Sequence, residues 1–126
     1  MSWTLVNSFL NNTTELDGVI SDYKPVSDWD VDLTYNYSPM LNKAFQIANL
    51  NNPEGRHLHN LSRLNNKEAA PIINKLYATM LHYREDIEKL EPDNGWGTYD
   101  QLLETVRDIF ERNTNCLNEN FVWCSF

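Results

Sequence analysis

WDVDLTYNYSPMLNKAF, residues 29–45, changes its hydrophobic period once, at Ser38. Up to that point Trp29, Val31, Leu33, Tyr35 and Tyr37 alternate with polar residues, the pattern of a strand with one buried face. Beyond it Leu41, Ala44, Phe45 and Ala48 recur at i, i+3, i+4 and i+7, the spacing of one helical face. Ser38 reads as the N-cap, accepting from first-turn amides. Pro39 suits the first helical position, where its missing N–H costs no hydrogen bond. The spacing therefore predicts a strand leading directly into a short helix that Asn49–Gly55 terminates.

Working outward, an N-cap candidate at Asn66 opens KEAAPIINKLYATMLHYREDIEKL, residues 67–90. There Ile73, Leu76, Tyr77, Met80, Ile87 and Leu90 form an apolar stripe, expected to be the longest helix. Pro71 lies either among the free first-turn amides or one turn before the true start. EPDNGWGTYDQ, residues 91–101, holds a proline, two glycines, a tryptophan and a tyrosine between this pattern and the next. Thr98 as N-cap and Gln101 three residues on make a capping box, and Asp100 puts a negative charge where the helix dipole favours one. Leu102, Leu103, Val106, Ile109, Phe110 and Asn113 continue as a helix, and residues 120–126, NFVWCSF, read as a strand. Ser2–Val6 is a further strand candidate. The sum is one α+β domain over residues 1–126, a small antiparallel sheet packed against a helical hairpin, with residues 1–28 allowed as a loosely packed extension.

Composition narrows the function classes. With 10 Lys and Arg against 18 Asp and Glu, the 126-residue chain has a formal net charge of −8 and a pI near 4.7. Binding to a phosphate backbone draws on Lys and Arg, so duplex nucleic acid is a poor partner. The opening residues lack a basic region before an apolar run, and no long apolar run occurs, which argues against a secretory signal or membrane span and for a cytoplasmic protein. Cys116 and Cys124 lie in no metal-ligand spacing and are expected as buried thiols. No cofactor fingerprint or nucleophile motif is present.

Three constellations remain. Asp28, Asp30 and Asp32 occupy the polar face of the first predicted strand, roughly 7 Å apart, either as a solvated face or as an acidic stripe for a basic protein surface. His57 and His59, beside Arg56, share a face if the segment is a strand, but a zinc site needs at least three protein ligands and none completes the set. Finally, Gly95 and Gly97 flank Trp96 at a helix start. If that start converges with the one at Ser38, Asn36, Ser38, Met40, Asn94, Trp96 and Tyr99 make a pocket with aromatic walls and amide donors, suited to a base or phosphate, and Arg56 and His57 are further candidates for ligand or partner binding. The alternative is that Trp96 plugs the end of the core.

The series YNYSPMLNKAF, LHNL, KEAAPIINKLY and LEPDNGWGTYDQLLETVRDIFE resembles a group of small uncharacterised proteins of bacteriophages and bacterial genomes. In that group a strand leads into a Ser/Ala-Pro-Met helix start, and an Asn-Pro-x-Asn-Gly-Trp-Gly-x-Tyr turn precedes the last helix. The resemblance spans roughly residues 35–112, is most specific at Asn94, Gly95, Trp96, Gly97 and Tyr99, and marks Asn36, Pro39 and Met40 as the other typical positions. Here Glu91-Pro92 replaces Asn-Pro, residues 49–56 lack a close counterpart and the first 28 residues are unmatched. The resemblance implies a phage or mobile-element setting and brings no activity with it. The resulting expectation is a non-enzymatic accessory that engages a host protein, such as a defence component, through an acidic or aromatic surface. A sponge for a small nucleotide at the Trp96 turn is the alternative, a small hydrolase built on His57 or His59 a third reading, and homo-oligomerisation stays open.

Overall fold

The computed structural model describes residues 2–9 and 29–126. Strand β1 (Ser2–Phe9) lies between β2 (Trp29–Thr34) and β3 (Phe121–Ser125), and both neighbours run antiparallel to it. The α+β reading stands. The register pairs Trp3 with Leu33, Leu5 with Val31, and Asn7 with both Trp29 and Trp123, so one face of the sheet gathers the large apolar side chains. Ser2–Phe9 thus forms the middle strand, where the sequence allowed a loose extension over residues 1–28. A central strand is paired along both edges, and Leu5, Val6 and Asn7 are buried. Residues 10–28, including Asp28, lie outside the described residues.

Strand β2 stops at Thr34, earlier than the alternation through Tyr37 suggests, because a 3-10 turn over Tyr35–Tyr37 feeds into helix α1 (Ser38–Ile47). Thr34 caps that turn, its hydroxyl accepting from the Asn36 amide at 3.2 Å. The N-cap of α1 is Tyr37, which makes no side-chain cap bond, so Ser38 is the first helical residue and not the cap. Further on, Asn65 caps helix α2 (Asn66–His82) in a reciprocal box with Glu68, one residue before the expected position. Asn65 has a glutamate at N3 and Asn66 does not, which decides between adjacent asparagines. Pro71 sits within α2, in its second turn. Tyr83, at φ −115° and ψ 38°, then interrupts the pattern, and the short helix α3 (Arg84–Glu88) follows. The final helix α4 (Tyr99–Asn115) equals α2 at 17 residues and opens with the Thr98–Gln101 box the sequence predicts.

Helices α2 and α4 pack side by side and, with α1, bury one continuous core that includes Trp3, Leu33, Met40, Phe45, Leu76, Met80, Tyr99 and Trp123. A second device locks sheet to helices. Asn7 and Asn66 exchange side-chain hydrogen bonds of 2.8 and 3.3 Å, Asn66 also donates to the Cys116 carbonyl, and Asn113 donates to the Asn66 carbonyl. The Trp123 indole N–H donates to Asn113 Oδ1 at 2.8 Å, and Arg112 donates to Asn7 Oδ1 at 2.9 Å. The side-chain amides of Asn7, Asn66 and Asn113 thus each find partners inside the protein, which makes their burial tolerable and fixes the register of four elements at once. Among the described residues no helix is long and apolar enough to cross a membrane.

Candidate functional site

The helix starts at Ser38 and Tyr99 do meet, through backbone. Asn36 Nδ2 donates to the Trp96 carbonyl at 3.4 Å, and Gly97 packs under the 3-10 turn. A Cβ at Gly97 would lie 3.0 Å from both Asn36 Cβ and Thr34 Cγ2 and 3.3 Å from Tyr37 Cδ1, at a φ of +78° that side-chain-bearing residues seldom adopt. Gly95 has a similar φ of +79° but open space around it. Gly97→Ala is accordingly expected to cost about 2 kcal/mol and Gly95→Ala about 1 kcal/mol, measured by urea unfolding, because strain acts at both and crowding at one only. Equal losses would mean that the two helix starts do not touch.

Trp96 does not plug the core. Trp96 is 72% exposed, so its indole points away from the core, while Tyr99 and Met40 are fully buried, the Tyr99 hydroxyl donating to the Met80 carbonyl. Those two candidates hold the site in place and do not present themselves to a ligand. Asn94 acts on the turn itself, its Oδ1 accepting from the Trp96 amide at 2.9 Å. The amides at the start of α4 are largely taken: Glu91 accepts from Tyr99 N–H at 2.6 Å, Gln101 Oε1 accepts from both Gly97 and Thr98, and Thr98 Oγ1 accepts from Gln101 N–H. A phosphate would have to displace a carboxylate already seated there and approach Asp100 besides. Glu91, seven residues before Thr98, was not legible as part of this cap, since no local capping rule reaches so far back.

Around the turn the surface is acidic and aromatic. Asp93 and Glu85 are exposed, and Asp100 is exposed although Arg84 donates to it at 2.7 Å, with the Arg84 guanidinium 4.7 Å from the centre of the Tyr99 ring. Asp30 and Asp32 project from β2 on the face opposite Leu33, and Asp32 accepts from Thr4 Oγ1 at 2.7 Å.

Ser38 and His57 are joined at 3.1 Å, but not as a nucleophile and its base. His57 Nδ1 accepts the Leu58 amide at 2.8 Å, so the neutral ring carries its proton on Nε2 and donates it to Ser38 Oγ. A serine-activating histidine must accept at that nitrogen. Burial, followed by the neighbouring His59, pushes the pKa of His57 down to about 4, which keeps it neutral. His57 and His59 lie on a 3-10 turn (His57–Leu61) and not on a strand, with ring centres 5.5 Å apart. His59 is sandwiched between Trp3, at 3.8 Å, and the half-exposed Tyr35, at 6.4 Å, and its pKa is lowered by burial and then by Arg56. Arg56 itself is exposed. Among the described residues no group of three or more His, Cys, Asp or Glu is placed to hold a metal. Cys116 and Cys124 are free and half-buried, and burial pushes the Cys124 thiol up, away from nucleophilic character. Comparison with protein-family models, with curated proteins and with solved structures finds no match to the chain.

Proposed function

We propose that the chain is a non-enzymatic binding protein that engages another protein through Trp96 and the acidic surface beside it. One observation carries this reading: a tryptophan 72% exposed on a turn whose backbone is held at both ends, by Asn94 on the Trp96 amide and by Asn36 on its carbonyl. Water gains nothing from such an arrangement, since exposing an indole forgoes its burial energy. A partner gains an anchor whose main chain is already ordered, and large aromatic anchors of this kind dominate protein interfaces. The exposed Asp93 and Asp100 suit a basic partner surface and would steer its approach. The resemblance to small phage proteins favours a bacterial cytoplasmic partner, with a host defence component as the preferred class.

Affinity capture from bacterial lysate with wild-type, Trp96→Phe and Trp96→Ala baits tests the reading. Proteins retained by the wild type and by Phe, lost at least tenfold on the Ala bait and released by raised salt, are the expected result. Identical retention on all three baits would refute it. Trp96→Ala should leave thermal stability within about 0.5 kcal/mol, because the side chain is exposed. The nucleotide alternative is weakened by the occupied amides, and the hydrolase by the His57 tautomer. A thermal shift with any mononucleotide would revive the former.

A further inference from the structure

We propose that the outer edge of β2 is a docking site for an extended, basic segment of another protein, which adds to the sheet as a further strand. The two edges of the sheet differ. Along β3 the outward groups are taken by the chain itself: Trp123 N–H donates to the Leu64 carbonyl at 2.9 Å, Arg63 N–H donates to the Trp123 carbonyl at 2.7 Å, and Ser125 N–H donates to Ser62 Oγ at 2.8 Å. On the other side β2 ends the sheet. The Phe126 amide donates to the Thr4 carbonyl, so Thr4 turns its main chain toward β3, and its register partner Asp32 turns its own away from β1. Asp32 is exposed, and its main-chain N–H and C=O have no partner among the described residues. Open edge groups of this kind are a template for a strand from outside.

Charge selects the occupant. Side chains of a strand alternate between faces, so an added strand sets half of them on the outer face, beside the exposed Asp30 and Asp32. The other half lies over a hollow of about 380 Å³ between β2 and α4. Trp29 and Val31 make one wall of it, and Asp108, Glu111 and Arg112, at i, i+3 and i+4 on one face of α4, contribute to the other. Arg112 is the cation there, and it is held by Asn7 Oδ1 at 2.9 Å and over the Phe121 ring at 5.2 Å. An arginine of the incoming strand lays its apolar stem on Trp29 and Val31 and brings its guanidinium to Asp108 and Glu111. A second copy of this chain is the poorer occupant, because pairing two β2 edges about a twofold axis sets the aspartates of one against those of the other. None of these residues belongs to the Trp96 turn, so the edge docks a strand whether or not the indole is an anchor.

The test uses purified full-length protein and end-blocked peptides of about eight residues, within the usual length of a strand: alternating Arg and Thr, the same with Glu for Arg, and the Arg peptide N-methylated on its central residues, which keeps the charge and removes main-chain donors. Binding is read by fluorescence anisotropy, and amide hydrogen exchange by NMR. Micromolar binding of the unmethylated Arg peptide alone is expected. In the free protein the Asp32 amide should exchange about tenfold or more faster than those of Val31 and Leu33, and it should slow when the peptide binds. Asp32→Pro deletes the outward N–H and leaves the bonds to β1 in place, so it should fold and bind about tenfold or more weakly. Glu111→Lys, on the exposed surface of α4, tests the docking without touching the strand and should weaken binding about fivefold or more. Trp96→Ala should bind as the wild type does. Equal binding of the N-methylated peptide would show attraction by charge alone and overturn the proposal, as would wild-type affinity in Asp32→Pro or in Glu111→Lys. An Asp32 amide as protected as that of Val31 in the free protein would overturn it too, because the edge would then be covered already. A loss in Trp96→Ala matching that in Asp32→Pro would overturn it by moving the peptide to the turn, and a dimer in sedimentation that Asp32→Pro dissociates would do so by assigning the edge to a second copy.

Discussion

Trp123→Ala is expected to destabilise the protein by about 4–5 kcal/mol, the largest single loss among the substitutions considered. Trp123 is fully buried, packs edge-on against Trp29 with ring centres 5.7 Å apart and donates its indole N–H to Asn113. Removing the rings leaves a cavity at the junction of sheet and helices, a loss of about 3–5 kcal/mol in buried aromatic truncations. It also leaves Asn113 Oδ1 without that donor in a buried site, about 1 kcal/mol or more. Trp123→Phe separates the two contributions, because it keeps most of the packing and loses the hydrogen bond, and about 2 kcal/mol is expected for it. Urea unfolding monitored by circular dichroism measures both. A Trp123→Ala loss under 2 kcal/mol would show that Trp123 does not knit the sheet to the helices.

The second large effect is a dependence on pH that His57 imposes. Its pKa falls from 6.5 in the unfolded chain to about 4 in the folded protein, burial being the main cause. Between those values the unfolded chain binds the proton and the folded protein does not. Stability is therefore complete above about pH 6.5 and falls as pH drops toward 4, by about 2 kcal/mol at pH 5 and about 3 kcal/mol at pH 4. The lowered pKa of His59 acts in the same direction. In His57→Gln, unfolding free energies at pH 7.5 and pH 5 should lie closer together than in the wild type by about 2 kcal/mol. An unchanged pH slope in that variant would mean that His57 titrates normally in the folded protein and that its burial does not hold it neutral.

How much of this was legible in the sequence depends on the range of the interaction. The Thr98–Gln101 box and the leucine spacing of α4 are local, since a cap and a helical period need only residues three or four apart, and both were read correctly. The same rule applied to Asn65 and Glu68 would have moved the start of α2 back by one residue. The break at Tyr83 carried no proline or glycine to announce it, and the apolar stripe ran on through Ile87, so one helix was expected where two exist. Ser38 looked like a cap because its neighbours fit, but a 3-10 turn capped by Thr34 delivers the chain to the helix and leaves the Ser38 hydroxyl for His57. The asparagine network joins residues 7, 66 and 113, too far apart in the chain for any pattern to link. Its one sequence signal was Asn113 in an otherwise apolar helical row. The direction of Trp96 was equally hidden, because a glycine-flanked indole can turn inward or outward and no local pattern decides between them.

The indole of Trp96, held outward on an ordered turn, is what the binding reading stands on. Fluorine NMR of protein labelled with 5-fluorotryptophan addresses it directly, since the chain has four tryptophans and Trp96→Phe identifies the signal by its disappearance. The expected resonance moves on exchange from H2O to D2O, as a solvated ring does, yet relaxes at the rate of the folded body, unlike a loose loop. A Trp96 signal as insensitive to D2O as that of buried Trp123, or one with the narrow line of a freely tumbling chain, would contradict the account.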